Sequence, residues 1–359
     1  MIGLAGLTPV GVRCLPEGAR LQWRTGQRVI ETDFERFRPV QIVEDPDSGR
    51  LRVLWRDFGE LPMTDLFFKA SVQAAAALAE RAEPFQTDWE VLDHLARLPD
   101  NLPFSGAIFH MARTGSTLVS RLLGKTRLAQ SLSEVPVIDQ ALFHADLRPG
   151  KEGDALLRGI IAAFSRPRRP SERHLVVKMT DAMPNTRLPR FRAAFPAVPW
   201  IFIYRDPVEV MVSMVRGPTG NIRNWFRNRA QVAERLGMPA LSDPAMWPEE
   251  FIARTLRRFC AKAVEAAKAT PPGLFLAVPY TRLPEAIWES IAPHFGIRLG
   301  EKERAVMREE ARYSAKRADA VAFQPDSEAK YGEATPRMRA LANRFVGPMI
   351  EELRALPQA

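Results

Sequence analysis

The sequence predicts an α/β protein, a three-layer sandwich around a central parallel sheet over about residues 101–359, behind a small α+β region over residues 1–100. Three observations predict it. From Pro103 onward, short apolar runs alternate with segments of helical period, the pattern of strands joined by crossover helices. The strongest run, Trp200-Ile-Phe-Ile-Tyr204, is continuously apolar, as a strand buried on both faces must be. The composition, 46% hydrophobic and 26% charged over 359 residues, is that of a globular chain able to bury a large core. At roughly 150 residues per domain, this length fits two domains or one enlarged domain.

The elements follow in order. Val40-Gln-Ile-Val43 and Leu51-Arg-Val-Leu-Trp55 flank the turn cluster Asp45-Pro46-Asp47-Ser48-Gly49, which predicts a hairpin. An alanine-rich helix is expected from about Thr64 to Ala82. A second should open at Thr87-Asp-Trp-Glu90, with Thr87 as cap and Glu90 reaching back in a capping box. Beyond them lie a strand at Phe104–His110, a helix at Ser116–Leu123 and a strand at Leu175–Lys178. Pro184 is placed to open a helix, and Pro207 to open another running to about Val215 after the Trp200–Tyr204 strand. Leu274–Val278 reads as a further strand and Leu283–Phe295 as a helix.

Several function classes are disfavoured at once. With Cys14 and Cys260 alone there is neither a disulfide framework nor a thiolate zinc cage, and a reducing compartment is expected. The five histidines are scattered without metal-ligand spacing, so no metal is expected. No run approaches the ~20 apolar residues of a membrane span. The first ten residues lack a basic segment and a cleavage site, which favours a cytoplasmic protein. The net charge of +9 favours an anionic partner: nucleic acid, a nucleotide or an acidic substrate. No nucleic-acid signature accompanies it, and the aromatics are not interleaved with a basic stripe, so no nucleic-acid partner is expected. The oligomeric state is left open.

In such sheets ligands bind beyond the carboxyl ends of the strands. After the Phe104–His110 run comes Met-Ala-Arg113-Thr114-Gly115-Ser116-Thr117, a turn of hydroxyls and one glycine opening a helix. Free N–H groups at that helix start, with hydroxyls and a cation, suit an anion. A simple capped helix start is the alternative. It is not the G-x-x-x-x-G-K-[ST] loop, because Ser116 rather than lysine follows Gly115. After the Trp200–Tyr204 run come Arg205-Asp206-Pro207 and, eight residues past Arg205, Ser213. A guanidinium and a hydroxyl there suit a second phosphate. Alternatively Arg205 pairs with a carboxylate such as Asp206, and Ser213 bonds the preceding helical turn.

Arg113-Thr-Gly-Ser-Thr117 resembles the 5′-phosphosulfate loop of sulfotransferases, and Tyr204-Arg-Asp-Pro207…Ser213 is similar to their 3′-phosphate motif with the same Arg-to-Ser spacing. Val278-Pro-Tyr280-Thr-Arg-Leu-Pro-Glu285 resembles a third segment, and the three occur in family order over about residues 103–296. The whole chain looks like a group of bacterial sulfotransferase-family proteins, with a P-loop-like fold. The resemblance implies transfer of a sulfuryl group from 3′-phosphoadenosine 5′-phosphosulfate (PAPS) to a hydroxyl or amine of an unidentified acceptor. Arg113, Thr114, Gly115, Ser116 and Thr117 would hold the 5′-phosphosulfate, and Arg205 and Ser213 the 3′-phosphate.

An acceptor hydroxyl must lose its proton as the new bond forms. By resemblance, Glu134 in Ser131-Leu-Ser-Glu134, 21 residues after Arg113, is the expected general base. A surface Glu near a helix start is the alternative. His110 and His144 are the other candidate bases: His110 is expected to be packed or hydrogen-bonded, and His144 to lie in water on a helix face. Lys178 resembles the basic residue that family members place near the sulfuryl group, against a snorkelling lysine. The basic segment Arg312-Tyr-Ser-Ala-Lys316-Arg317 departs from the family's Arg-Lys-Gly loop, and a solvated loop is the favoured reading there. The stretch 217–250, with Trp225, Phe226 and Trp247, is a candidate for acceptor recognition or a lid, with aromatics packed in the core as the alternative. Two other functions compete: a nucleotide kinase or other phosphoryl transferase, and a non-catalytic binder of nucleotides or polyanions.

Overall fold

A computed structural model describes residues 22–23, 35–46, 48–63, 65–78, 82–181, 183–313 and 326–359. The four apolar runs become parallel strands β5 (Phe104–His110), β7 (His174–Lys178), β8 (Trp200–Tyr204) and β9 (Phe275–Pro279), and a fifth, β6 (Ala129–Ser133), joins them in the order β6-β7-β5-β8-β9. Every residue of β8 is buried, which is why its sequence carries no polar alternation. The pleat divides the core. Ala107, Phe109, Trp200 and Phe202 face one apolar cluster, and Ile108, Ile201 and Ile203 face the other. The chain leaves β5 for β6 on one side and leaves β8 for β9 on the other. The ends of β5 and β8 therefore flank the point where the winding reverses, the place where such sheets open a crevice.

Ser116–Lys125, the helix that follows β5 (hereafter the loop helix), buries Val119, Leu122 and Leu123 against the Ile108 face. It shares that face with a helical stretch containing a π-turn at Ile287–Ile291, followed by Ala292–His294. Phe295 at its end lies flat over Gly106, where any Cβ would overlap the ring. After residue 354 the chain runs beside β9, with Ala277 N donating to Pro357 O at 2.7 Å and Ala359 N to Ala277 O at 3.0 Å.

Residues before 101 form a second sheet in the order β1-β4-β3-β2. The expected hairpin is β2 (Phe37–Glu44) and β3 (Leu51–Asp57), antiparallel, with β4 (Phe85–Asp88) antiparallel to β3 and the two-residue β1 (Gln22–Trp23) parallel to β4. The structure differs from expectation at two helices. The alanine-rich helix covers Phe68–Ala76 only, shorter at both ends. Thr87 does not cap a helix: it lies in β4, buried, and its Oγ1 accepts from Trp55 Nε1 at 2.9 Å. The next helix, Val91–Ala96, follows Glu90 without a side-chain cap. Completing the sheet buries Phe85 against Phe37 and Trp55, and that burial outweighs the capping signal. This sheet shares one continuous core cluster with the Phe109 face of the parallel sheet: Val53, Trp55, Phe58 and Phe85 belong to the same cluster as Phe164, Phe191 and Phe202.

Cys260 is buried, and burial pushes its thiol up to about 12, so it is chemically inert. The reading of Cys14, and that of Lys316 and Arg317, falls outside the described residues. Among the described residues no helix is long and apolar enough to cross a membrane.

Candidate active site

At the carboxyl ends of β5, β6 and β7 lies a cleft of about 340 Å³. Its floor is the turn after β5. His110 closes that strand, buried, and both ring nitrogens are used. Nδ1 accepts from Ala112 N at 3.1 Å, so Nε2 carries the proton and donates to Met179 O at 3.1 Å. The histidine thus ties the turn to the end of β7, and the packed role expected for it is the one observed.

The turn itself is strained. Ala112 (φ 71°) and Arg113 (φ 53°) sit in the left-handed region that side chains disfavour, and Gly115 (φ 79°) sits there at little cost. Glu134, on the opposite wall, is a third such non-glycine residue at φ 56°. Each costs on the order of 1–3 kcal/mol, and that cost collects at functional sites where the surroundings hold the residue in place.

What the turn presents is a set of unmatched donors. The loop helix starts at Gly115 with no side-chain cap, which leaves its leading N–H groups without intrahelical partners. Thr114 is fully buried, and among the described residues its Oγ1 has no partner. Arg113 Nε is buried without one as well, although its Nη2 donates to Gly217 O. Thr219 Oγ1, from the facing segment 218–223, is a third buried and unpartnered atom lining the cleft. Buried polar atoms without partners are costly, and here three of them lie beside the open start of a helix, an arrangement able to receive an anion.

Glu134 and Lys178 meet here because β6 and β7 are neighbours with Ser133 opposite Lys178, and Glu134 N donates to Lys178 O at 2.9 Å. The Lys178 ammonium is buried and donates to Glu134 Oε1, while Glu134 stays about one-third exposed to the cleft. Lys178 therefore does not snorkel to bulk water, and Phe67 covers it with its ring centroid 5.6 Å away.

Asp181 lines the same cleft. Burial pushes its carboxyl up to about 6, assisted by the charge of Glu134, while Lys178 and Arg113 pull it down. Asp139, behind it, is raised to about 7 by burial even though Thr180 Oγ1 donates to it at 2.8 Å.

The sequence-predicted residues divide into two places. Arg113, Thr114, Gly115, Ser116, Thr117, Glu134 and Lys178 line one cleft. Arg205 and Ser213 do not. Arg205, after β8, is buried: its Nε donates to Glu209 Oε2 at 2.9 Å, its Nη2 donates to the same atom, and Nη2 reaches Asp326 Oδ1 at 3.2 Å. The Tyr280 ring lies 3.9 Å from the guanidinium. Asp206, weighed as its partner, instead caps the following helix, accepting from Val208 N at 2.9 Å and Glu209 N at 3.2 Å. His144 is not in water. It is half-buried on the helix Pro136–Leu147, and burial with the charge of Arg148 lowers it to about 4.

Of the aromatics in 217–250, Trp225 is core, donating to Leu241 O at 2.7 Å, whereas Phe226 and Trp247 are exposed. The start of that stretch, with Pro218, Thr219 and Arg223, forms a wall of the cleft. Three contributors escaped the sequence reading. Asp181 lies three residues past Lys178, just after an apolar run, and the strand-end rule itself would have found it. Phe67 and Thr219 carry no local signal, because only the tertiary fold brings them here.

Among the described residues no cluster of three or more His, Cys, Asp or Glu could hold a metal ion. No family model matches the chain, and no curated protein matches it. Solved structures similar to it include a sulfotransferase domain from the curacin biosynthetic pathway, at 13% identity and TM-score 0.41 over 72% of this chain and 100% of that one. A second is sulfotransferase STF9 from Mycobacterium avium, at 13% and 0.42 over 71% of this chain and 78% of that one. A third is a sulfotransferase from Alicyclobacillus acidocaldarius, at 14% and 0.41 over 70% of this chain and 94% of that one. The likeness is one of fold.

Proposed function

We propose that the chain transfers a sulfuryl group from PAPS to a hydroxyl or amine of an acceptor, without a metal. The observation that carries this reading is the cleft at the ends of β5–β7, where unmatched buried donors of the Arg113–Thr117 turn face an ion-paired carboxylate and lysine. In this reading Arg113, the hydroxyls of Thr114, Ser116 and Thr117, and the first N–H groups of the loop helix hold the 5′-phosphosulfate. They neutralise charge that gathers on the phosphate oxygen as its bond to sulfur breaks. Glu134 accepts the acceptor's proton as the new oxygen–sulfur or nitrogen–sulfur bond forms. Lys178 is ion-paired with Glu134 beforehand and, once Glu134 has taken the acceptor's proton, is free to donate to a sulfuryl oxygen. Arg205 and Ser213 take the 3′-phosphate. The excess of positive charge goes to the nucleotide and the acceptor rather than to nucleic acid.

Asp181 favours one second reading. It is an acidic group in the cleft just after a strand, as a magnesium-dependent phosphoryl transferase requires. The lysine such enzymes place after the loop glycine is Ser116 here.

Calorimetric titration with adenosine 3′,5′-bisphosphate, 5′-AMP, ADP and ATP, each with and without magnesium, separates the two. The sulfuryl-transfer reading expects tight, magnesium-independent binding that requires the 3′-phosphate. Preference for ATP with magnesium would replace it with the phosphoryl-transfer reading.

A further inference from the structure

The surroundings of Arg205 are those of an anion site already filled from within. Two carboxylates touch its guanidinium. Glu209 lies in the first turn of the helix that follows Arg205, Pro207–Arg216, and is itself buried. Asp326 comes from a distant part of the chain, at the start of the helix Ser327–Glu333, and its side chain is 46% exposed. Lys330 Nζ donates to the same Asp326 oxygen at 2.7 Å and is 4% exposed. Ser327 Oγ completes the ring, 3.3 Å from Arg205 Nη2 and donating to Glu209 Oε2 at 2.8 Å. The four charges, Arg205 and Lys330 against Glu209 and Asp326, cancel. Without Asp326 the group would carry one net positive charge between two buried cations and a hydroxyl.

Resting on the reading of Arg205 as the 3′-phosphate residue, we infer that Asp326 is an internal stand-in for that phosphate, occupying the Arg205–Lys330 pair until the nucleotide displaces it, and that Lys330 is the second cation of the phosphate site. With Arg205 only 6% and Lys330 only 4% exposed, a phosphate reaches them only by taking the place of the carboxylate between them. Of the two carboxylates, Asp326 is the one that can leave. A half-exposed ion pair is held weakly, whereas Glu209, buried in the helix that directly follows Arg205, is fixed. A phosphomonoester brings up to two charges and three acceptor oxygens, so it outcompetes a single carboxylate for a guanidinium and an ammonium. Lys330 supplies the late basic contact from a helix, at a place where the sequence lacks a family-like basic loop. The far end of that helix is tied to the end of Pro207–Arg216 by the Arg216–Glu333 ion pair, so displacement concerns its first turn.

Calorimetry on the full chain tests this, with adenosine 3′,5′-bisphosphate and 5′-AMP as probes and three proteins: wild type, Asp326→Asn and Lys330→Gln. Asp326→Asn is expected to bind the bisphosphate about tenfold more tightly than wild type with 5′-AMP unchanged, and Lys330→Gln about tenfold more weakly, again with 5′-AMP unchanged. The constant 5′-AMP affinity shows that both variants are folded, and a general structural effect would move both ligands together. Unchanged or weaker bisphosphate binding by Asp326→Asn, while the wild type prefers it over 5′-AMP, overturns the stand-in and leaves the 3′-phosphate reading intact. No preference in the wild type and none gained in Asp326→Asn overturns both. A preference that appears only in Asp326→Asn supports the stand-in most directly.

Discussion

The roles proposed for Glu134 and Arg113 differ, and substitution distinguishes them. Glu134→Gln keeps an acceptor for the Lys178 ammonium and leaves the Arg113–Thr117 turn untouched. Nucleotide affinity is therefore expected to stay within about twofold while kcat falls by about 10²–10⁴, the usual contribution of a positioned base. Arg113→Ala is expected to lower both, since it removes a cation of the anion cradle. Single-turnover kinetics beside calorimetry reads the difference, and a fully active Glu134→Gln would remove this residue as the base. Both residues have left-handed backbone, a strain found at functional sites, and this fits the roles proposed for them.

At the scale of elements, the end of β7 couples the cleft to the helix Pro136–Leu147 through Thr180 and Asp139. Burial places the Asp139 carboxyl at about 7, above its ordinary 3.8, with the Glu134 and Asp181 charges adding to the rise. The folded state therefore holds a proton that the unfolded chain has lost between about pH 4 and pH 7. Stability from this group is greatest below that window and falls as pH rises through it. Asp139→Asn keeps a partner for Thr180 without the buried charge. It is expected to raise the melting temperature at pH 8, by an amount worth up to a few kcal/mol, and to have little effect at pH 4.5. Thermal melts of both proteins across that range check it, and a difference independent of pH would show that Asp139 does not titrate there.

For the molecule as a whole, the boundary near residue 100 separates sequence patterns but not cores. Phe68 meets Phe164 edge-on at 5.5 Å between ring centroids, and a Cβ on Gly159 would strike Leu92. We propose that the described residues before 101 act as a covering layer that folds with the rest. A chain of residues 101–359 would expose the apolar surface that β3, β4 and the helix Val91–Ala96 now bury. It is expected to bind a hydrophobic dye and to lose its cooperative melt. A fragment melting cooperatively near the full chain's temperature would establish two independent domains.

Four of the five parallel strands were legible because burial on both faces forces continuous apolar sequence, whereas β6, Ala-Gln-Ser-Leu-Ser, carries no such run. The Arg113–Thr117 turn was legible for a similar reason, since hydroxyls and a glycine at a helix start are a local device. Thr87 was misread because its capping signal is local while its place in β4 depends on β3, residues away in sequence, offering an open edge. The sequence by itself determined the α/β class, the order of the strands along the chain and the residue types at their carboxyl ends. Only the tertiary structure decided which of those ends share a cleft: Glu134 meets Lys178 because β6 and β7 are neighbours, and Arg205 meets Asp326 because the distant helix Ser327–Glu333 packs against Pro207–Arg216. Spacing along a chain fixes what each segment carries, whereas pairing across a sheet is settled by burial summed over the whole molecule.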